Sequence, residues 1–208
     1  MNDTKGIRII LFDYGGVLAS EGFERGLQAL ARRFGLDPQN LATAGADAVY
    51  DSGYVTGDGS ETEFWSLLTA RTGLPAYRPE FTMEILDRFV LRPDLLAAVD
   101  RLRQAGYRLA ILSDQTDWLD RLNQRDLFFG HFDQIFNSYH LGKGKRDASL
   151  FLDIASRLQV RPEQLLFIDD NPGHIKRAAD MGLKTYRFVD QESCLEFLQQ
   201  QTGVAFPA

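Results

Sequence analysis

Apolar residues recur along this chain in two rhythms. From Arg92 onward, short apolar runs alternate with stretches whose apolar positions fall three and four apart, as strands and helices do when they take turns. The spacing predicts helices over 95–104, 118–128, 148–158, 175–181 and 193–200, and strands over 107–112, 132–136, 164–168 and 184–189. Gly182 stands where a helix would stop, and the last residues are expected to fray. Near the start, 7–12 is an isoleucine-rich run, apolar except for Arg8, as in a strand buried on both faces of a parallel sheet. Asp13 follows it at once, then Gly15 and Gly16, which let the backbone turn tightly.

Between about Ser20 and Leu91 the rhythm is helical throughout. Helices are expected over 23–34, stopped by Gly35, and over 38–50, 63–70 and 81–89, with a turn-rich stretch at 52–60. Phe64 and Trp65 read as core of this group. The predicted fold is therefore α/β, a parallel sheet of about five strands flanked by helices, with a helical insertion after the first strand. Residues 1–19 and 92–208 would form the core domain and 20–91 the inserted one.

Composition adds exclusions. At 208 residues with 44% hydrophobic content the chain can bury a sizeable core. Its net charge of −6 argues against nucleic acid or an anionic membrane as partner, since both require a broad basic patch. Cys194 is the single cysteine, so no internal disulfide forms and a reducing, cytoplasmic setting is expected. No stretch is apolar enough to span a membrane, and no signal-type segment is apparent.

In an open parallel sheet the strands' carboxyl ends share one edge, where ligands bind. That gathers Asp13, then Ser113 and Asp114, then Asp169 and Asp170, with Lys145 on the loop leaving the third strand. Each alone reads equally well as a turn residue or helix cap. Together, converging carboxylates need a cation, and Mg2+ fits their oxygen ligands. His131, His140 and His174 lack ligand-like spacing; His174 reads as a helix-surface residue. Lys143 reads as a solvated loop lysine.

These residues sit in four motifs: Phe12-Asp13-Tyr14-Gly15-Gly16-Val17-Leu18, Ala110-Ile111-Leu112-Ser113-Asp114, Leu141-Gly142-Lys143-Gly144-Lys145 and Phe167-Ile168-Asp169-Asp170-Asn171. In order and spacing the chain resembles the haloacid dehalogenase superfamily. The helical insertion and the run 57–65 resemble the small cap of the branch holding sugar-phosphate phosphatases and the phosphatase domain joined to epoxide hydrolases. The resemblance implies a Rossmann-like core and a magnesium-dependent phosphatase acting on a small phosphorylated metabolite, as a monomer or homodimer. It makes Asp13 the nucleophile and a metal ligand, with Gly15 (by its carbonyl), Asp169 (directly or through water) and Asp170 as further ligands. Ser113 and the Asp114 amide would hold phosphate, and Lys145 would contact both nucleophile and phosphate.

The chain departs from that pattern at Gly15, where most phosphatases of the family carry a second aspartate as general acid and base. Such help is worth ~10²–10⁴-fold. Either the substrate has a good leaving group, or another group such as Glu21, Glu24, His174 or water supplies the proton, or the protein is a weakly active or non-catalytic phosphoryl-ligand binder. Arg146 replaces the usual proline, and Asp114 the commoner asparagine. A 2-haloacid dehalogenase is the remaining alternative, disfavoured because that chemistry has no use for the Asp169-Asp170 pair.

Overall fold

A computed structural model describes residues 6–206; the expected fraying, where it concerns 207 and 208, lies outside them. Its sheet has the strands β1 (Ile9–Phe12), β2 (Arg108–Ser113), β3 (Gln134–Asn137), β4 (Leu165–Asp169) and β5 (Lys184–Arg187), all parallel and ordered β3-β2-β1-β4-β5. Side chains alternate across it. Ile9 and Leu11 face one hydrophobic cluster, Ile10 and Phe12 the other, which is why β1 reads as an unbroken apolar run rather than an alternating one.

Helices cover both faces. Ten α-helices occur among the described residues: α1 (Phe23–Phe34), α2 (Pro38–Asp51), α3 (Glu61–Thr72), α4 (Pro79–Leu86), α5 (Pro93–Gln104), α6 (Trp118–Asp126), α7 (Ser138–Leu141), α8 (Ser149–Leu158), α9 (Pro172–Asp180) and α10 (Gln191–Thr202). Local signals set many of their ends. Gly35 closes α1 in the left-handed region at φ 69°. Asp37 caps α2 ahead of Pro38, and Ser60 with Glu63 forms a reciprocal capping box on α3. Helices α1 to α4 pack on one another, and no named strand lies between β1 and β2 among the described residues.

Several bounds shift: α4 covers Pro79–Leu86 rather than 81–89, and α9 begins at Pro172 rather than 175. Helix α6 stops at Asp126 rather than running to 128, because Leu127 turns left-handed at φ 56°. That conformation costs a leucine about 1 kcal/mol or more. In compensation Phe128 becomes fully buried, stacked 4.7 Å from Tyr14. The third strand begins at Gln134 rather than 132, after a 3₁₀ turn over Phe128–His131. Helix α7 is new; at four residues it is too short to leave a period in the sequence.

Candidate active site

The strand order reverses direction beside β1, with β2 on one side and β4 on the other, and at such a switch point a crevice opens outside the carboxyl ends. Phe12 lies across from Ile111 and Ile168, so Asp13, Ser113 and Asp169 sit just beyond that line. The Asp13 amide donates to the Ile168 carbonyl at 2.9 Å, extending the ladder by one bond. Its carboxylate accepts the Tyr14 amide at 2.7 Å. Thus the backbone aims the side chain.

Lys145 is the hinge of the charge arrangement. Its fully buried ammonium lies 2.8 Å from Asp13 Oδ2 and 2.6 Å from Asp169 Oδ2. A buried charge is tolerated only when paired and hydrogen-bonded; here the two carboxylates, despite burial, hold the lysine well above its ordinary pKa. Asp169 Oδ1 accepts the Asn171 amide at 2.7 Å, and His174 Nδ1 lies 3.2 Å from Oδ2. Against burial, Lys145 and His174 hold Asp169 below the usual carboxylate range. Asp13 is pushed well above it, by burial first and then, despite Lys145, by the charges of Asp169 and Asp170. Asp170 is raised as well, through burial and Asp169.

Gly16 is a glycine by necessity. Its φ is +81°, and a Cβ there would stand 2.1 Å from Asp170 Oδ2, closer than any real contact. The Asp170 carboxylate thus rests against the turn that follows Asp13. At Gly15 a Cβ would come within 3.2 Å of the Phe89 ring, so an aromatic side chain stands close beside this glycine.

A cavity of about 460 Å³ opens over these groups, lined by Asp13, Gly15, Ser113, Asp114, Lys145 and Asp170 among others, a size suited to a small metabolite. All predicted site residues reach it except Asp169, which lies fully buried behind Lys145. Glu21, Glu24, Arg146 and His174 also line it, so His174 is drawn into the site rather than left on a helix surface. Lys143 is not; it pairs with Asp153 at 2.7 Å. His131 and His140 pair with Asp100 and Asp120, away from the cavity. Phe64 and Trp65 are fully buried core, as expected. Tyr50 and Phe89, which the sequence did not single out, line the cavity, and no local motif marks either one.

Comparison with known proteins gives a consistent picture. The chain is 30% identical over 134 residues to bifunctional epoxide hydrolase 2 of Rattus norvegicus, a match covering 61% of this chain and 24% of that relative. It is 33% identical over 95 residues to enolase-phosphatase E1 of Thioalkalivibrio sulfidiphilus, covering 44% of this chain and 42% of the relative. The chain therefore spans less than half the length of either. Among solved structures, a HAD family enzyme from Bacteroides thetaiotaomicron in complex with magnesium and inorganic phosphate superposes with a TM-score of 0.74 at 22% identity, over 91% of this chain and 99% of the other. That likeness speaks to the fold. The family model for haloacid dehalogenase-like hydrolase matches residues 7–182, and with the five-stranded parallel sheet it establishes that this chain belongs to the haloacid dehalogenase-like hydrolases.

Proposed function

We propose that this hydrolase is a magnesium-dependent phosphatase of small phosphorylated metabolites, working through an aspartyl-phosphate on Asp13. The supporting observation is the buried Lys145 ammonium bridging Asp13 and Asp169 at a sheet switch point, with Asp170 beside them. The phosphatase relatives and the magnesium and phosphate complex of the Bacteroides enzyme agree with the reading.

The residues present fit magnesium. Three carboxylates gather around one lysine, and Asp13 and Asp170 are raised by burial first and then by the neighbouring aspartates, a repulsion that a cation would relieve. Asp13, Asp170 and the Gly15 carbonyl would hold the ion with oxygen donors, as magnesium prefers. Asp169 has Oδ2 engaged by Lys145 and His174 and Oδ1 by Asn171, which suits a contact through water. A ligand atom each from Asp13, Asp169 and His174 also falls within 4.8 Å of the others. That mixed nitrogen and oxygen set suits a transition metal better, and both Asp169 and His174 in it are already committed to each other. When bound, magnesium would neutralise charge on the phosphoryl oxygens and lower the repulsion that an anionic nucleophile meets.

The chain's own groups supply the rest. Asp13 attacks phosphorus; its bond to phosphorus forms as the ester P–O bond breaks, and the departing oxygen takes a proton. Water then attacks the acyl phosphate, releasing inorganic phosphate and restoring Asp13. Ser113 and the Asp114 amide hold phosphoryl oxygens, while Lys145 stabilises the charge that develops on them. With glycine at 15 and Phe89 beside it, the natural substrate is one whose leaving group needs little protonation, such as an acyl or anomeric phosphate. Residues 20–91 act as a cap that shapes the leaving-group side, over a core of 1–19 and 92–208. The single, buried Cys194 accords with a cytoplasmic setting.

The test is turnover of p-nitrophenyl phosphate and a panel of sugar phosphates with magnesium and with chelator. Activity should vanish with chelator, return with magnesium and drop to background in Asp13→Asn. Ligand-dependent thermal stabilisation without turnover would point instead to a phosphoryl-ligand sensor.

A further inference from the structure

We propose that Tyr50 and the Asp114 side chain form a clasp that positions the loop carrying Lys145, so that the seating of the helical segment is transmitted to the catalytic lysine. This deepens the phosphatase reading, on which its kinetic consequence rests.

Asp114 accepts from both sides. Its Oδ1 and Oδ2 take the backbone amide of Lys145 at 2.9 and 3.0 Å, and Oδ2 also accepts the hydroxyl of Tyr50, which comes from the last turn of α2. Burial, then the charge of Asp114, pushes the Tyr50 hydroxyl far up, so it remains the donor. Both partners of this side chain are therefore donors, and a carboxylate meets them with two oxygens and a negative charge, whereas an asparagine would offer one acceptor oxygen and put its N–H₂ in place of the other. That is a physical reason for aspartate where the family more often has asparagine.

The loop is built around the contact. A Cβ on Gly144 would stand 3.1 Å from Asp114 Oδ2 and 3.3 Å from Oδ1, so glycine leaves room for the carboxylate to reach the Lys145 amide. On the other side, the Arg146 guanidinium lies 3.6 Å from the centre of the Tyr50 ring and donates to the Ala46 carbonyl of α2 at 3.3 Å. Asp114 thus holds Tyr50 at its hydroxyl and Arg146 at its face. The Lys145 carbonyl accepts from Arg177 Nε at 2.7 Å, fixing the other end of the same residue's backbone. A shift of α2 would pull on Asp114 and Arg146 together, and through them on the ammonium that bridges Asp13 and Asp169.

Tyr50 and Asp114 are here positioning residues, tested by Tyr50→Phe, Asp114→Asn and the double variant. Hydrogen exchange at the Lys145 amide, kcat and KM for p-nitrophenyl phosphate with magnesium, and Tm are measured for each. Each single variant should speed exchange at Lys145 and lower kcat about tenfold with KM nearly unchanged, and the lost hydrogen bond to a charged group should lower Tm by a few degrees. The double variant should fall no further than Asp114→Asn, since the two bonds act in series. Wild-type protection of the Lys145 amide in Tyr50→Phe, or losses that multiply, would overturn the clasp. Absence of Asp13-dependent turnover in the wild type would instead remove the phosphatase reading, and the exchange data would still decide the clasp.

Discussion

At the scale of single residues, the most consequential position is Gly15. With Phe89 beside it and no carboxyl of its own, the site should show a steep dependence on the leaving group. Turnover of p-nitrophenyl phosphate should exceed that of an alkyl phosphate by ~10²–10⁴-fold, the usual worth of the missing acid. A flat series measured at saturating magnesium would show that another source, such as Glu21, Glu24, His174 or water, supplies the proton. Tyr14, next to Asp13, carries a different signature. Its hydroxyl is buried with no protein partner, while its ring stacks on Phe128 and tilts against Phe89. An unsatisfied buried hydroxyl costs about 1–3 kcal/mol, so Tyr14→Phe should keep the stacking and raise stability in urea unfolding. Asp13, Ser113, Lys145 and Asp169 were legible in the sequence because each ends or follows a strand in a recognisable motif. Tyr50 and Phe89 were not, since both reach the cavity from helical or loop positions that carry no local mark.

At the scale of elements, half of the helix N-termini follow from side-chain caps that a sequence displays. Asp190 caps α10, accepting the Ser193 amide at 2.8 Å and the Ser193 hydroxyl at 2.9 Å, and those bonds hold its carboxyl below the usual range. A depressed folded-state pKa means that the unfolded chain binds the proton more tightly. The cap's contribution is therefore complete above the ordinary aspartate pKa and is lost as pH falls through the lowered one. The Ser193 amide shift, followed by NMR, should titrate with a midpoint below the ordinary aspartate value, and Asp190→Asn should soften the acid limb of stability. Where elements disagreed with their expected bounds, packing had prevailed over local preference. Leu127 accepts an unfavourable left-handed turn because that turn delivers Phe128 to Tyr14. The end of α6 is thus decided by a residue over a hundred positions away, which no window along the chain can register.

At the scale of the whole molecule, the helical segment and the sheet share one apolar cluster. Leu30, Phe64, Trp65 and Phe81 of the segment belong with Ile10, Phe12, Leu95 and Leu102 of the sheet and its cover. Trp118 of α6 packs 6.2 Å from Phe23, 5.8 Å from Tyr54 and 6.0 Å from Phe64, centre to centre. An interface this apolar argues against free relative motion. Calorimetry should therefore show one transition whose calorimetric and van't Hoff enthalpies agree; two resolved transitions would show that the segment melts on its own. No helix among the described residues is long and apolar enough to cross a membrane. The sequence by itself determined the alternation of strands and helices, the helical insertion and the edge at which the carboxylates gather. Period and punctuation are local properties, and a parallel sheet turns strand ends into a common rim. Only the tertiary structure decided that Lys145 bridges Asp13 and Asp169, that Phe89 stands beside Gly15 and that Tyr50 grips Asp114, because those distances depend on how separate elements pack, and packing is settled by the whole chain at once.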